Sequence, residues 1–118
     1  MIEKPVLDLI IARAVLPEVF GKSEGDDPHL LLQTRLAKHF NGWTGWPSVG
    51  GWRNGEGEIE TEQSRTYEVA ISIHDRNVFR DIIAQWGHAY GQESVYVVVD
   101  GKANLLPTKD RDYSVVRD

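Results

Sequence analysis

The sequence contains no cysteine, which removes disulfides, thiolate metal sites and thiol nucleophiles from consideration at once. It also lacks any long run of lysine and arginine, and its formal net charge is −5. A dominant attraction to the phosphates of DNA or RNA is therefore excluded, and nucleic acid is not expected as a main partner. Long apolar runs are missing as well. The stretch from Pro5 to Val15 is broken by Asp8 and Arg13, is too short to span a bilayer and follows no basic leader, so the expected location is cytoplasmic, with no membrane partner. Several catalytic signatures are absent too. The four histidines (His29, His39, His74, His88) lie in separate segments without HxH or HExxH spacing, which gives surface or capping roles and no metal site. The glycines match neither GxGxxG before a helix nor GxxxxGK[ST], and there is no GxSxG elbow.

What is present is an ordinary soluble composition, 41% hydrophobic and 26% charged over 118 residues, which is enough for a single core. Pro5 to Val15 reads as a strand, because Leu7, Leu9 and Ile11 keep a period of two. Asp27-Pro28 is an N-cap followed by a first-turn proline; Leu32, Leu36 and Phe40 form the stripe of the helix that follows, and Asn41-Gly42 ends it. Trp43 to Arg53 is aromatic and glycine-rich, as expected of an irregular, bent strand. Arg53 to Gly57 then supplies a hairpin turn. From Arg65 to Ile73 strict alternation puts Tyr67, Val69, Ile71 and Ile73 on a buried face and Thr66, Glu68, Ala70 and Ser72 on the other. A second helix, capped by Asp75 or Asn77, carries Phe79, Ile82, Ile83, Trp86 and Tyr90 on one stripe; Val95 to Val99 is an interior strand. Ala103 to Leu106 can pair back briefly after the Asp100-Gly101 turn.

The order is thus βαββαβ, an α+β ferredoxin-like fold in which a four-stranded antiparallel sheet carries both helices on one face. Residues 1–107 form the expected domain and 108–118 a polar tail. The other face of the sheet is left open, and covering it by association predicts a homo-oligomer.

The candidate site lies around the hairpin. Glu56, Glu58, Glu60, Glu62 and Glu68 crowd it, and their mutual repulsion calls for a cation, whether Arg53, Arg65, a second subunit or a charged ligand. A solvated acidic hairpin is the plainer reading of the same residues. Trp43, Trp46 and Trp52 could stack on a base or face a sulfonium or ammonium. Core packing is the alternative, preferred for Trp43 and Trp46, and Trp52 is the more open.

Three segments together resemble a known group. GGWRN at Gly50 to Asn54, the E-x-S-R-x-x-x-V pattern of Glu62, Ser64, Arg65 and Val69, and Ala89 to Val95 (AYGQESV) look like the small ferredoxin-like, PII-like domains that include phage-encoded S-adenosylmethionine lyases. The resemblance spans about residues 30–106. It implies trimers holding an adenosine-containing substrate where subunits meet, an anti-restriction role and no cofactor. The implied reaction is attack of the substrate's own carboxylate on its γ-carbon, giving methylthioadenosine and homoserine lactone. Trp52 stands where the family has a tyrosine, and Gln63 stands at the nominal spacing of the family's glutamate, with Glu62 one residue earlier. By this resemblance Glu62 is the catalytic candidate, and Trp52, Arg53, Ser64, Arg65 and Glu68 are the substrate-binding ones. Two further readings stay open: a non-catalytic binder that sequesters a nucleotide or other small molecule, and a dimeric α+β-barrel protein.

Overall fold

Alternation in the central strands decides the architecture, because it gives the sheet one apolar face and one mixed face. A computed structural model describes residues 8–109. In it the chain runs β1 (Leu9–Pro17), α1 (Pro28–Phe40), β2 (Thr44–Arg53), β3 (Ile59–Ser72), α2 (Arg76–Ala89), β4 (Ser94–Val99) and β5 (Lys102–Pro107). Among the described residues these strands form one antiparallel sheet in the order β2-β3-β1-β4-β5. The α+β class is as expected from the sequence. The expected strand count of four is corrected to five, because Lys102 to Pro107 pairs with β4 along its whole length.

The core lies between the sheet and both helices. Ala12, Ala14 and Leu16 of β1, Tyr67, Val69 and Ile71 of β3 and Val95, Val97 and Val99 of β4 pack against Leu32 and Leu36 of α1 and Phe79, Ile82, Ile83 and Trp86 of α2. In β1 it is thus the small, even-numbered residues that are buried. Leu9 and Ile11, whose period of two revealed the strand, lie on the helix-free face and are exposed. Ile73, expected at the end of the buried row, falls instead in a 3-10 turn, where Ser72 accepts a hydrogen bond from the His74 N–H, and is exposed.

Helix α1 begins as its sequence dictates: Asp27 accepts from the Leu30 N–H at 3.1 Å, Pro28 occupies the first turn, and Asn41 closes the helix with φ 69°. Helix α2 starts at Arg76 with Asp75 before it, but the Asp75 side chain makes no capping bond. Strand β2 is not the irregular strand expected. It pairs in unbroken register with β3 from Thr44 opposite Glu68 to Arg53 opposite Ile59. Because β1 ends at Pro17, opposite Ser64, the rest of this hairpin continues past β1 as a two-stranded ribbon. Asn54 builds its turn: the side-chain oxygen accepts from the N–H groups of Glu56 and Glu58, and Gly57 takes φ 81°. Thr108, placed in the expected polar tail, is buried, and its hydroxyl donates to the carbonyl oxygens of Gln92 and Glu93. The remainder of that tail, from residue 110, and the start of the first strand, residues 5–7, lie outside the described residues. Among the described residues no helix is long and apolar enough to cross a membrane.

Candidate functional site

The register of the ribbon sets Gly50 opposite Glu62 and Trp52 opposite Glu60, all with the parity of the helix-free face. One step along, Ser48, Ser64 and Pro17 stand side by side across β2, β3 and β1. On the far side of β1, Tyr96 lies beside Val15 and Leu105 beside Tyr96. All of these residues but Glu60 and Ser48 line a cavity of about 600 Å³, within the size range of small-molecule sites. Trp52 and Glu62 of the ribbon line it on one side, Tyr96 and Leu105 on another, and Ser64 with Ser94 gives it polar points.

Glycine at position 50 matters to the space. A Cβ built there meets nothing within 4 Å, so the room beside Glu62 is open because no side chain fills it. Beneath, Ser48 Oγ lies 2.8 Å from Ser64 Oγ and 2.9 Å from Thr66 Oγ1. Ser64 and Thr66 are buried although they face away from the helices. Three hydroxyls that satisfy one another let a polar patch sit within the sheet without an unpaired group.

The structure divides the residues singled out from sequence. Trp52, Glu62 and Ser64 line the one cavity. Arg53, opposite Ile59, has the other parity and is exposed near the ribbon's tip. Arg65 also has the other parity; its Nε donates to Glu18 Oε1 at 2.5 Å, and it lines a separate cavity. Glu68 shares the helix-free face but is held by Arg13, at 2.7 Å, and does not line the cavity with Trp52. Gln63, opposite Val49, does not line it either. Glu60 accepts from the Asn54 amide at 3.2 Å, near the turn.

The cavity also draws on residues that the sequence reading passed over: Pro17, Gln92, Ser94, Tyr96 and Leu105. A signal existed for two of them, since Gln92 and Ser94 belong to the AYGQESV segment. For the others there was none, because only the sheet order brings β4 and β5 to the hairpin. The three tryptophans of this region differ less in exposure than expected, with Trp43 at 39%, Trp46 at 40% and Trp52 at 44%. Trp43 meets Tyr67 edge-on, with ring centroids 5.5 Å apart.

No protein-family model matches the chain, and no curated protein matches it in sequence. Among solved structures it is similar to a phage S-adenosylmethionine lyase in complex with S-methyl-5′-thioadenosine, with a TM-score of 0.63 and 13% identity over 95% of this chain and 99% of that one. The same comparison with a phage S-adenosylmethionine lyase in the apo state gives a TM-score of 0.61, again at 13% identity and with the same coverage. At that identity the shared property is the fold, and by fold this chain stands with the phage S-adenosylmethionine lyases along nearly its whole length.

Proposed function

We propose that this protein is a lyase acting in the cytoplasm on S-adenosylmethionine, releasing methylthioadenosine and homoserine lactone, and that its site is the cavity lined by Trp52, Glu62 and Ser64. The observation that carries the reading is the meeting of these three residues in one cavity of about 600 Å³, on a fold shared with a lyase that binds methylthioadenosine. In the reaction a carboxylate oxygen of the substrate forms a bond to its own γ-carbon while the bond from that carbon to sulfur breaks. The electron pair passes to sulfur, which loses its positive charge as the carboxylate loses its negative one. No proton moves.

Two opposite charges cancel in such a step, so surroundings less polar than water favour the transition state. Val15, Pro17, Trp52, Tyr96 and Leu105 provide them. What remains for the protein is to fold the substrate for attack, a positioning task. The Glu62 carboxylate accepts hydrogen bonds from the α-ammonium, which frees the substrate carboxylate to turn toward the γ-carbon. Trp52 supplies an aromatic wall for the adenine or the sulfonium, and the Ser64 hydroxyl a polar contact for the ribose. The one-residue offset of Glu62 from the family spacing is compatible with this role, since it is Glu62 and not Gln63 that lines the cavity.

The reading extends to assembly. The helix-free face exposes Leu9, Ile11, Tyr96 and Leu105, an apolar surface suited to association. Copies of this chain, three in the lyase arrangement, cover that face and complete the cavity. Depletion of the methyl donor by such an enzyme would serve anti-restriction.

Incubation of the purified protein with S-adenosylmethionine, followed by chromatography and mass spectrometry, tests the reading. Methylthioadenosine and homoserine lactone are expected in equal amounts. Substrate that stays intact but co-elutes with the protein would favour the sequestering reading instead, for which the missing phenol at Trp52 speaks.

A further inference from the structure

The helix-bearing side of the same hairpin carries a second cavity, of about 260 Å³, lined by Gln33, Trp43, Gly45, Trp46, Pro47, Arg65 and Tyr67. Beside it lies a group of residues with the look of a catalytic centre. His29, buried in α1, has Nδ1 2.7 Å from Tyr67 Oη and Nε2 3.0 Å from the carbonyl oxygen of Pro17. Gln33 Nε2 donates to Tyr67 Oη at 3.2 Å, and Arg65 lines the same cavity. A carbonyl only accepts, so His29 carries its proton on Nε2 and its Nδ1 accepts the Tyr67 proton. The phenol's proton is thereby given and one of its lone pairs is taken by Gln33. Burial pushes its pKa up, against the opposing effect of Gln33 and Arg65. Tyr67 is consequently a fixed pillar that holds Gln33 in place, while Glu18 holds Arg65.

Their remaining valences define a ligand. Gln33 has spent an amide N–H on Tyr67 and keeps its carbonyl oxygen as an acceptor. Arg65 has given Nε–H to Glu18 and keeps further guanidinium N–H donors. Because Glu18 neutralises that guanidinium, the cavity offers hydrogen bonds without net positive charge, which favours a neutral acceptor over a carboxylate. Trp43 contributes a flat aromatic face that lies over Gly45, where a Cβ would stand 3.1 Å from Trp43 Cζ3; Trp46, opposite Thr66, turns its side chain to the helix-free face. A volume below the roughly 300 Å³ at which drug-sized sites begin suits one or two fused rings and nothing longer.

We propose that this cavity is a second ligand site, distinct from the one containing Glu62, and that it takes a neutral planar heterocycle with a lactam edge. Its C=O accepts from Arg65, its adjacent N–H donates to Gln33, and its ring lies against Trp43. The inference stands on these residues alone and does not depend on the lyase reading.

The tryptophans make the test direct, because the Trp43 indole belongs to this cavity, Trp52 lines the other, and Trp86 is buried in the core. Hypoxanthine would be titrated into the unmodified protein while the indole N–H resonances, assigned by single Trp→Phe variants, are followed by NMR. The resonance of Trp43 is expected to move at millimolar probe, those of Trp52 and Trp86 to stay. Benzoate, planar but anionic, is expected to bind at least tenfold more weakly. Q33M, which keeps the side-chain length and removes the acceptor, is expected to weaken hypoxanthine at least tenfold. The proposal is overturned if the Trp43 resonance does not respond, if Trp52 responds in its place, or if benzoate binds as well as hypoxanthine. Were Q33M not to fold, the resonance pattern of the unmodified protein would still decide.

Discussion

At the residue scale, the cavity on the helix-free face rests on a contrast between two neighbours. Glu62 lines it and Gln63 does not, because a strand turns successive side chains to opposite faces. Under the lyase reading, Glu62→Gln keeps the shape and removes the charge that holds the α-ammonium. Turnover should fall about a hundredfold, the usual cost of losing one well-placed electrostatic partner, with thermal unfolding unchanged. Full turnover in a folded E62Q would take this carboxylate out of the mechanism. Gly50 gives a complementary probe. It lies opposite Glu62, does not have a positive φ, and a Cβ there meets nothing within 4 Å. Gly50→Leu should therefore fill the cavity at no structural cost, and relieving a strand of glycine adds about 0.5–1 kcal/mol. Calorimetry should find a stability equal to or above that of the parent, together with at least tenfold weaker binding of methylthioadenosine. A destabilised G50L, or one that binds normally, would place the ligand elsewhere.

At the element scale, the sequence spoke most clearly where local chemistry decides the outcome. Asp27-Pro28 and Asn41 bound α1 as their side chains require, and the Phe79-Ile82-Ile83-Trp86 stripe packs as its spacing requires. It was less clear where a partner strand decides. The irregularity expected of Trp43 to Arg53 disappears because β3 supplies a full ladder of partners, and β5 exists because β4 offers it an edge. His29, expected at the surface, is buried because Tyr67 and the Pro17 carbonyl, distant in sequence, satisfy both ring nitrogens. Of the candidate site, the hairpin half was legible and the β4–β5 half was not, since no local pattern tells which strands will lie beside β1.

Two further consequences belong to elements. Gly87 lies where α2 meets β4: a Cβ there would stand 2.6 Å from Val95 Cγ1 and 2.9 Å from Thr108 Cγ2. Alanine is the better helix former by about 1 kcal/mol, but overpacking a core costs about 1–3 kcal/mol. Gly87→Ala should thus lower the denaturation midpoint, and Val95→Ala in the same chain should cost less than it does alone, a coupling that a double-mutant cycle measures. The loop before α1 is fastened differently. Asp26 accepts from the Lys22 N–H and from the Tyr90 hydroxyl, both at 2.8 Å. The Lys22 bond first and the Tyr90 bond second hold the Asp26 carboxyl below its usual range, while burial and then Asp26 push Tyr90 up to about 12. A raised folded pKa favours the protonated phenol. Its stabilising effect is complete below the ordinary tyrosine value near 10 and is lost as pH rises through about 12. Asp26 acts in the opposite sense, contributing above the ordinary aspartate range and losing its effect as pH falls through its lowered value. Tyr67 is raised as well, so spectroscopic titration should find two late-ionising phenols among the described residues and one fewer in Tyr90→Phe; an unchanged count in that variant would contradict the assignment.

At the scale of the whole molecule, the two faces of the sheet have unequal claims on water. One is closed by the helices, and the other carries Leu9, Ile11, Tyr96 and Leu105 exposed on neighbouring strands around the Arg13–Glu68 pair. A two-stranded ribbon is at best marginally stable in water without further support, and this one exposes Val49, Trp52 and Ile59 beyond the end of β1. The apolar residues of the sheet, with Trp52 of the ribbon, favour association through the helix-free face, whereas Val49 and Ile59 have the other parity; the cavity opens on the helix-free face, so assembly and chemistry should be lost together. Ile11 separates the two, because it is 47% exposed on the face, opposite Ala70, and does not line the cavity. A carboxylate at this position would have to be buried unpaired in an assembled protein, at a cost of several kcal/mol. Ile11→Glu should therefore be a folded monomer by light scattering, with the helical circular dichroism of the parent, and should neither bind methylthioadenosine nor turn over S-adenosylmethionine. An Ile11→Glu monomer that retained turnover would show that one copy holds the complete site, and the shared cavity would give way to a self-sufficient one between the hairpin and β4.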